Sequence, residues 1–166
     1  YLFYEMLSLS TYPLVTHKQD AEARSAGRKY LTYLLGTSVA LTLPAMILIY
    51  SLTGTLDFTA GGILAGKADP STVSILLVLL VFGFAKAAVM PLHGWLPAAM
   101  VAPTPVSSFL HGVAVVKVGV FSILRMVFFV FGTGLLGDLN LGAVLTTLAS
   151  VTILGASLVA LTQDNL

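Results

Sequence analysis

Long apolar runs separated by short polar segments organise the chain. Residues 30–53 carry no charge, and residues 71–92 carry one, Lys86. Residues 106–131 hold His111, Lys117 and Arg125 on an otherwise apolar background, and residues 141–162 are again uncharged. Residues 1–16 are apolar apart from Glu5 and read as the later part of a helix that starts upstream. A helix needs about 20 apolar residues to cross the hydrocarbon core. The pattern therefore predicts five spans, the first partial, in an all-α polytopic membrane helix bundle. The chain opens on Tyr1, and both ends cut through apolar sequence before the polar Gln163, Asp164 and Asn165. Residues 1–166 thus read as the central part of one transmembrane domain, a fragment of a larger subunit.

The polar segments suggest an orientation. Residues 17–29 form the first loop and contain Lys18, Arg24, Arg28 and Lys29. The loops at 54–70 and 132–140 contain only Lys67 among lysines and arginines. An excess of Lys and Arg marks the cytoplasmic side, so the first loop is expected there and the other two outside. The stretch MPLHGWLPAAMVAPTP, residues 90–105, holds four of the chain's seven prolines. Proline removes a donor and disfavours helix in the preceding residue, so Pro91, Pro103 and Pro105 predict an interruption. Irregular backbone at membrane depth requires protein or a wet cavity around it. A broken helix re-entering protein and a simple cytoplasmic loop are the two readings of this stretch.

Composition sharpens the class. Apolar residues make up 57% and charged residues 9%, against about 25% charged in soluble domains. Mean hydropathy is +0.98. A net charge of +1 gives no sign of nucleic acid, and the chain has no Cys for disulfides, thiolate metal sites or iron–sulfur ligation. His93 and His111 lie far apart, no HxxxH or carboxylate pair occurs, and no GxGxxG or P-loop is present. Neither a metal site nor a cofactor site is expected, and soluble-type enzymology has no foothold.

The chemistry therefore rests on ionisable residues inside spans. A lysine at bilayer depth costs roughly 2.5–3.5 kcal/mol and usually faces a protein interior. Lys86 has small neighbours, Ala85, Ala87 and Ala88, which suit helix contact; a snorkelling lysine is the bland alternative. Lys117 is expected deeper still. His111 lies six residues before it, which on a regular helix is about 9 Å and 120° away. Waters or another group would have to join the two. His111 suits proton exchange near neutral pH or, equally, bonds an interior carbonyl. Glu5, with Tyr1, Ser8 and Tyr12, forms a polar stripe at helical spacing; a surface carboxylate near a helix end is the alternative. Arg125 stays charged in any site and is expected as a fixed ion-pair partner near the outer interface. His93 reads as a gate or as a merely interfacial residue.

Taken together, FAKAAVMPLHGWLPAAMVAPTPVSSFLHGVAVVKVGVFSILRM (residues 84–126) and YEMLSLSTYPLV (residues 4–15) resemble the antiporter-like subunits shared by respiratory complex I and Mrp-type multi-subunit cation/proton antiporters. The HGVAVVKVGVF variant resembles the D-like branch of the Mrp family most, then energy-converting hydrogenases. The resemblance implies a discontinuous helix around residues 91–105 and an intramembrane Glu5–Lys86 ion pair. It also implies proton transfer onward through His111 and Lys117. It points to a multi-pass protein of the bacterial inner membrane, partnered by other membrane subunits and moving H⁺ and either Na⁺ or K⁺. Coupling is expected to cation antiport or to redox-driven pumping, and any oxidoreductase activity would belong to the parent complex. A structural membrane anchor of a complex I-like NADH dehydrogenase or a membrane-bound hydrogenase is the alternative.

Overall fold

In the computed structural model, which describes residues 1–162, the elements are helices and turns joined by loops. Helix α1 is Leu2–Val15, α2 is Ala21–Thr53 and α3 is Pro70–Gly83; α4 is Thr104–Phe131, α5 is Thr133–Asp138 and α6 is Leu141–Leu161. Helices α2, α4 and α6 are long and apolar enough to cross a membrane. The expected polar segment at Gln163, Asp164 and Asn165 lies outside the described residues.

Residues 17–29 are mostly helix rather than loop. The Asp20 carboxylate accepts from the Ala23 amide at 2.7 Å, which satisfies one of the free amides at a helix start. From there α2 runs antiparallel to α1: the Thr11 and Tyr30 hydroxyls meet at 2.6 Å, and Ser38 donates to Glu5 farther along. A wide π-turn spans Ser38–Thr42 inside α2. Pro44 follows directly; it lacks an amide and crowds the carbonyl four residues back, and a wide turn relieves both.

Helix α3 begins at an Asp69 cap. Its side chain accepts from the Thr72 hydroxyl at 2.7 Å and from the Thr72 amide at 3.1 Å. The hydroxyl bond first, then the amide bond, holds the Asp69 carboxyl below the usual carboxylate range. The helix stops at Gly83, not at residue 92, so Lys86 sits beyond the helix on a 3₁₀ turn, Ala85–Ala87. Short turns continue to Ala102, and Ala88 takes the left-handed conformation at φ +54. Trp95, Ala99 and Ala102 in this stretch are buried. The stretch is thus a break within protein, as one of the two readings held. Pro91 and Pro103 lie in it, whereas Pro105 falls in the first turn of α4. A missing amide costs nothing there, because first-turn amides have no partner within the helix.

The loop at 54–69 folds back on the far end of α4. The Ile63 and Leu64 amides both donate to the Val130 carbonyl, at 2.9 and 3.2 Å. Gly62 and Gly132 make this approach possible: both have positive φ, and a Cβ on either would strike backbone of the other segment. Residues 132–140 hold α5 rather than a bare turn. The core runs through Ile49, Leu76, Leu80, Phe84 and Phe131, while Ile47, Ile75, Leu154 and Leu158 point outward. An outward apolar face is what a helix shows to lipid.

Replacing Asp20 with Ala removes the α2 cap and should cost about 1 kcal/mol locally. Hydrogen exchange at residues 21–24 is expected to speed up roughly fivefold for that loss, with Asp20→Asn close to wild type.

Candidate functional site

The site forms where α1, α2 and the break after α3 meet. Unwinding after Gly83 frees backbone groups that hydrocarbon cannot satisfy. Side chains from other elements take them up. The Trp95 indole donates to the Ala85 carbonyl at 2.9 Å, and the Lys86 amide donates to the Tyr4 hydroxyl at 3.4 Å. Tyr30 stacks edge-on against Trp95 at 5.6 Å, and Tyr4 against Phe84 at 5.4 Å. Gly119 of α4 lets the helix lie directly on this turn, since a Cβ there would strike the Lys86 and Ala87 backbone.

Lys86 is 0% exposed. Its ammonium donates to the Tyr4 carbonyl and lies 3.1 Å from the centre of the Tyr4 ring. Pairing with a backbone carbonyl is one of the few ways a charged group persists at membrane depth, and the ring face adds cation–π attraction. Glu5 is half-buried beside it. One carboxylate oxygen accepts from Ser38, and the other is buried without a partner. The two charges converge on the same turn of α1 but form no direct ion pair. The reason is local: the ammonium is taken by the carbonyl one residue before Glu5, and the carboxylate turns to α2.

The polar stripe of α1 is also rotated from the expected one. The buried residues are Tyr4, Ser8, Thr11 and Val15; they share Ser8 with the expected Tyr1–Glu5–Ser8–Tyr12 stripe but replace Glu5 and Tyr12 by the residue before each, so Glu5 lies at the edge. Ser8 and Thr42 are buried with unpartnered hydroxyls near the same interface.

His111 occupies a second π-turn, Leu110–Ala114. Both its ring nitrogens are buried and unpartnered, and its ring lies 6.3 Å from that of Trp95. Trp95 therefore touches both the Lys86 turn and His111. Lys117 is brought to neither: it is exposed on α4. The wide turn between them also cancels the regular-helix spacing. His93 sits on the 3₁₀ turn Leu92–Gly94, half-buried, with Nδ1 unpartnered. Arg125 has no carboxylate partner among the described residues; its guanidinium lies over Phe58 at 4.1 Å, with Phe129 and Phe121 at 5.3 and 5.5 Å. The expected ion pair is replaced by rings because the facing loop presents Phe58.

Tyr4, Ser38 and Trp95 are the site residues that sequence reasoning left unassigned. A tyrosine beside an intramembrane glutamate was the available signal for the first.

A bundle with helices of membrane-crossing length, interrupted around a buried lysine, defines a class of polytopic membrane proteins. The chain belongs to the NADH:quinone oxidoreductase/Mrp antiporter transmembrane family, whose model matches residues 1–166. Among curated proteins it is 35% identical over 173 residues to "Putative antiporter subunit mnhA2" of Staphylococcus epidermidis, and 33% identical over 175 residues to the protein of that name in Staphylococcus aureus. Each alignment covers 100% of this chain and 20% of the relative. The chain thus spans about a fifth of the length of the curated relatives it matches. They carry the name mnhA2 where the motif variant leaned toward the D-like branch; motifs shared across the family do not separate its branches. The chain is a multi-pass protein of the bacterial cytoplasmic membrane.

Gly119→Val should force the α4 backbone off the Lys86 turn and cost about 1–3 kcal/mol by overpacking. Gly36→Ala, which meets nothing within 4 Å, should leave the melting temperature of the assembled complex unchanged or raised. Thermal melts of the two variants in detergent measure the difference.

Proposed function

We propose that this chain forms part of a proton-translocating subunit, with Lys86 as the group that takes up and releases the proton. One observation carries the reading. Lys86 is fully buried on unwound backbone, and its ammonium is held by a carbonyl and a ring while the neighbouring carboxylate keeps one oxygen free of any partner. A structural lysine would be expected to sit in a closed ion pair. Here a carboxylate with one free oxygen lies on the adjacent residue, so a small shift of α1 changes how strongly Glu5 acts on the ammonium. Approach of Glu5 favours the charged form; withdrawal favours release of the proton. Membership of a family whose description includes an antiporter, and relatives named as antiporter subunits, support the same reading.

On this reading His111 is the next acceptor. It lies across Trp95 from the Lys86 turn, with both ring nitrogens buried and without a partner. Water would bridge the gap. Lys117 continues the path on α4, and His93 and Arg125 lie outside it. The whole protein would work beside other membrane subunits, coupling proton flow to Na⁺ or K⁺ antiport or to a redox reaction carried out elsewhere in the assembly.

Lys86→Ala in the intact, full-length subunit should abolish proton-coupled transport in vesicles while the complex still assembles. Glu5→Gln should leave transport slowed roughly tenfold or more, the loss equivalent to about 1.4 kcal/mol or more of barrier. Normal transport by a fully assembled Lys86→Ala complex would end the reading; failure of assembly without any transport defect in the assembled fraction would favour the structural anchor.

A further inference from the structure

A second feature lies beyond the Lys86 turn, on the side of the bundle toward the loop at 54–69. A cavity of about 400 Å³ opens between α1, α2, α4 and that loop, walled by Tyr4, Ile49, Phe84, Phe121, Met126 and Arg125. We infer that it binds an anionic phospholipid, with the phosphate on Arg125 and the upper acyl chain in the cavity.

The Arg125 guanidinium lies among rings. Its three phenylalanine neighbours offer ring faces, which attract the charge but accept none of its five planar donors in the geometry a guanidinium prefers. The Nε–H is buried and has no acceptor among the described residues. A buried polar group in that state is costly, and a phosphate supplies paired acceptors to a planar fork. An anion is the partner that matches both the charge and the planar donors of the guanidinium.

The surroundings identify which anion. Apart from Arg125, Ser122 and two tyrosines, the lining is aliphatic, aromatic or thioether, and the Ser122 hydroxyl is already engaged with the Val118 carbonyl. A small soluble anion would satisfy Arg125 and leave this apolar volume unfilled. A phospholipid satisfies both. Depth agrees: Arg125 lies six residues before Phe131, where α4 ends, so it is about 9 Å from that end along the axis. That is the level of lipid headgroups and their first methylenes. Access is lateral, since Phe121, Leu124 and Phe128, around Arg125 on α4, are 57%, 48% and 48% exposed. The inner wall is Tyr4, whose carbonyl and ring hold Lys86, so an occupant here would press on the residue that positions that ammonium. The lipid assignment does not depend on the proton reading.

The test uses the full-length subunit in its assembled complex, reconstituted in nanodiscs with phosphatidylglycerol or phosphatidylcholine bearing a photoactivatable acyl chain. Adducts on peptides from α4 and the loop at 54–69 are quantified by mass spectrometry. Phosphatidylglycerol adducts are expected to exceed phosphatidylcholine adducts about fivefold, the ratio that roughly 1 kcal/mol of headgroup attraction gives. Arg125→Gln should bring the two to equality, and Arg125→Lys should keep part of the excess. Inorganic phosphate in solution should displace nothing. Equal labelling by both lipids in the wild type, or an excess that survives Arg125→Gln, would overturn the site. Displacement by inorganic phosphate would overturn the lipid in favour of a soluble anion. Should Arg125→Gln not assemble, Ser122→Phe fills the cavity with Arg125 intact: loss of the adducts supports the site, and unchanged adducts refute it.

Discussion

Everything near Lys86 depends on one constraint: backbone unwound inside a membrane must find its partners within the protein. In water, a segment that leaves a helix can bond to solvent. At bilayer depth each freed amide or carbonyl costs several kcal/mol unless another element reaches it. Here α1 and the later half of the break do the reaching. Tyr4 accepts the Lys86 amide through its hydroxyl and holds the ammonium through its carbonyl and ring; Trp95 takes the Ala85 carbonyl. These contacts tie α1, the break and, through Tyr30 and Thr11, α2 into one unit. Packing then follows, because α4 can lie against the turn only where Gly119 leaves room.

The architecture was largely legible and the break only in part. Long apolar runs identify α2, α4 and α6 because apolar length is itself the physical requirement for crossing. The prolines at 91 and 103 marked a break, but its start was missed. Gly83–Phe84 carries no proline, and the helix ends there because tertiary partners receive what the backbone releases. The charged residues at 17–29 suggested loop and hid a helical extension that begins at the Asp20 cap. Pro105 misled in the other direction, since proline breaks a helix interior and suits its first turn. The stripe on α1 was misplaced by one residue because Tyr4 reads as apolar in a hydropathy pattern, although its hydroxyl and carbonyl are the polar groups that matter. The resemblance supplied Glu5, Lys86, His111 and Lys117 as a set and implied a Glu5–Lys86 ion pair; the ammonium lies on the Tyr4 carbonyl instead, since a carbonyl and a carboxylate on adjacent residues are equally in reach.

The π-turns left no comparable trace in sequence. One surrounds Ser38, which holds Glu5, and another carries His111. A wide turn rotates the side chains that follow it and weakens the local ladder, which is why such turns recur at functional sites. Pro44 accounts for the first. Nothing in residues 110–114 accounts for the second by propensity alone, although Gly112 lowers the cost of distorting the backbone there. Its effect is to bring His111 to the face of Trp95 while Lys117 points elsewhere.

That divergence bears on where charge can go next. Lys117 is exposed on a helix of membrane-crossing length and composition, and lipid cannot be what faces it: a lysine amid hydrocarbon is tolerated only by reaching water or another protein surface. From the middle of α4, snorkelling would have to span more than a turn of helix to either end. Unlike the face of α6 that carries Leu154 and Leu158, the surface of α4 at the depth of Lys117 is therefore one that protein or water covers. On the proton reading, the path that starts at Lys86 and turns at Trp95 would leave these helices at that surface.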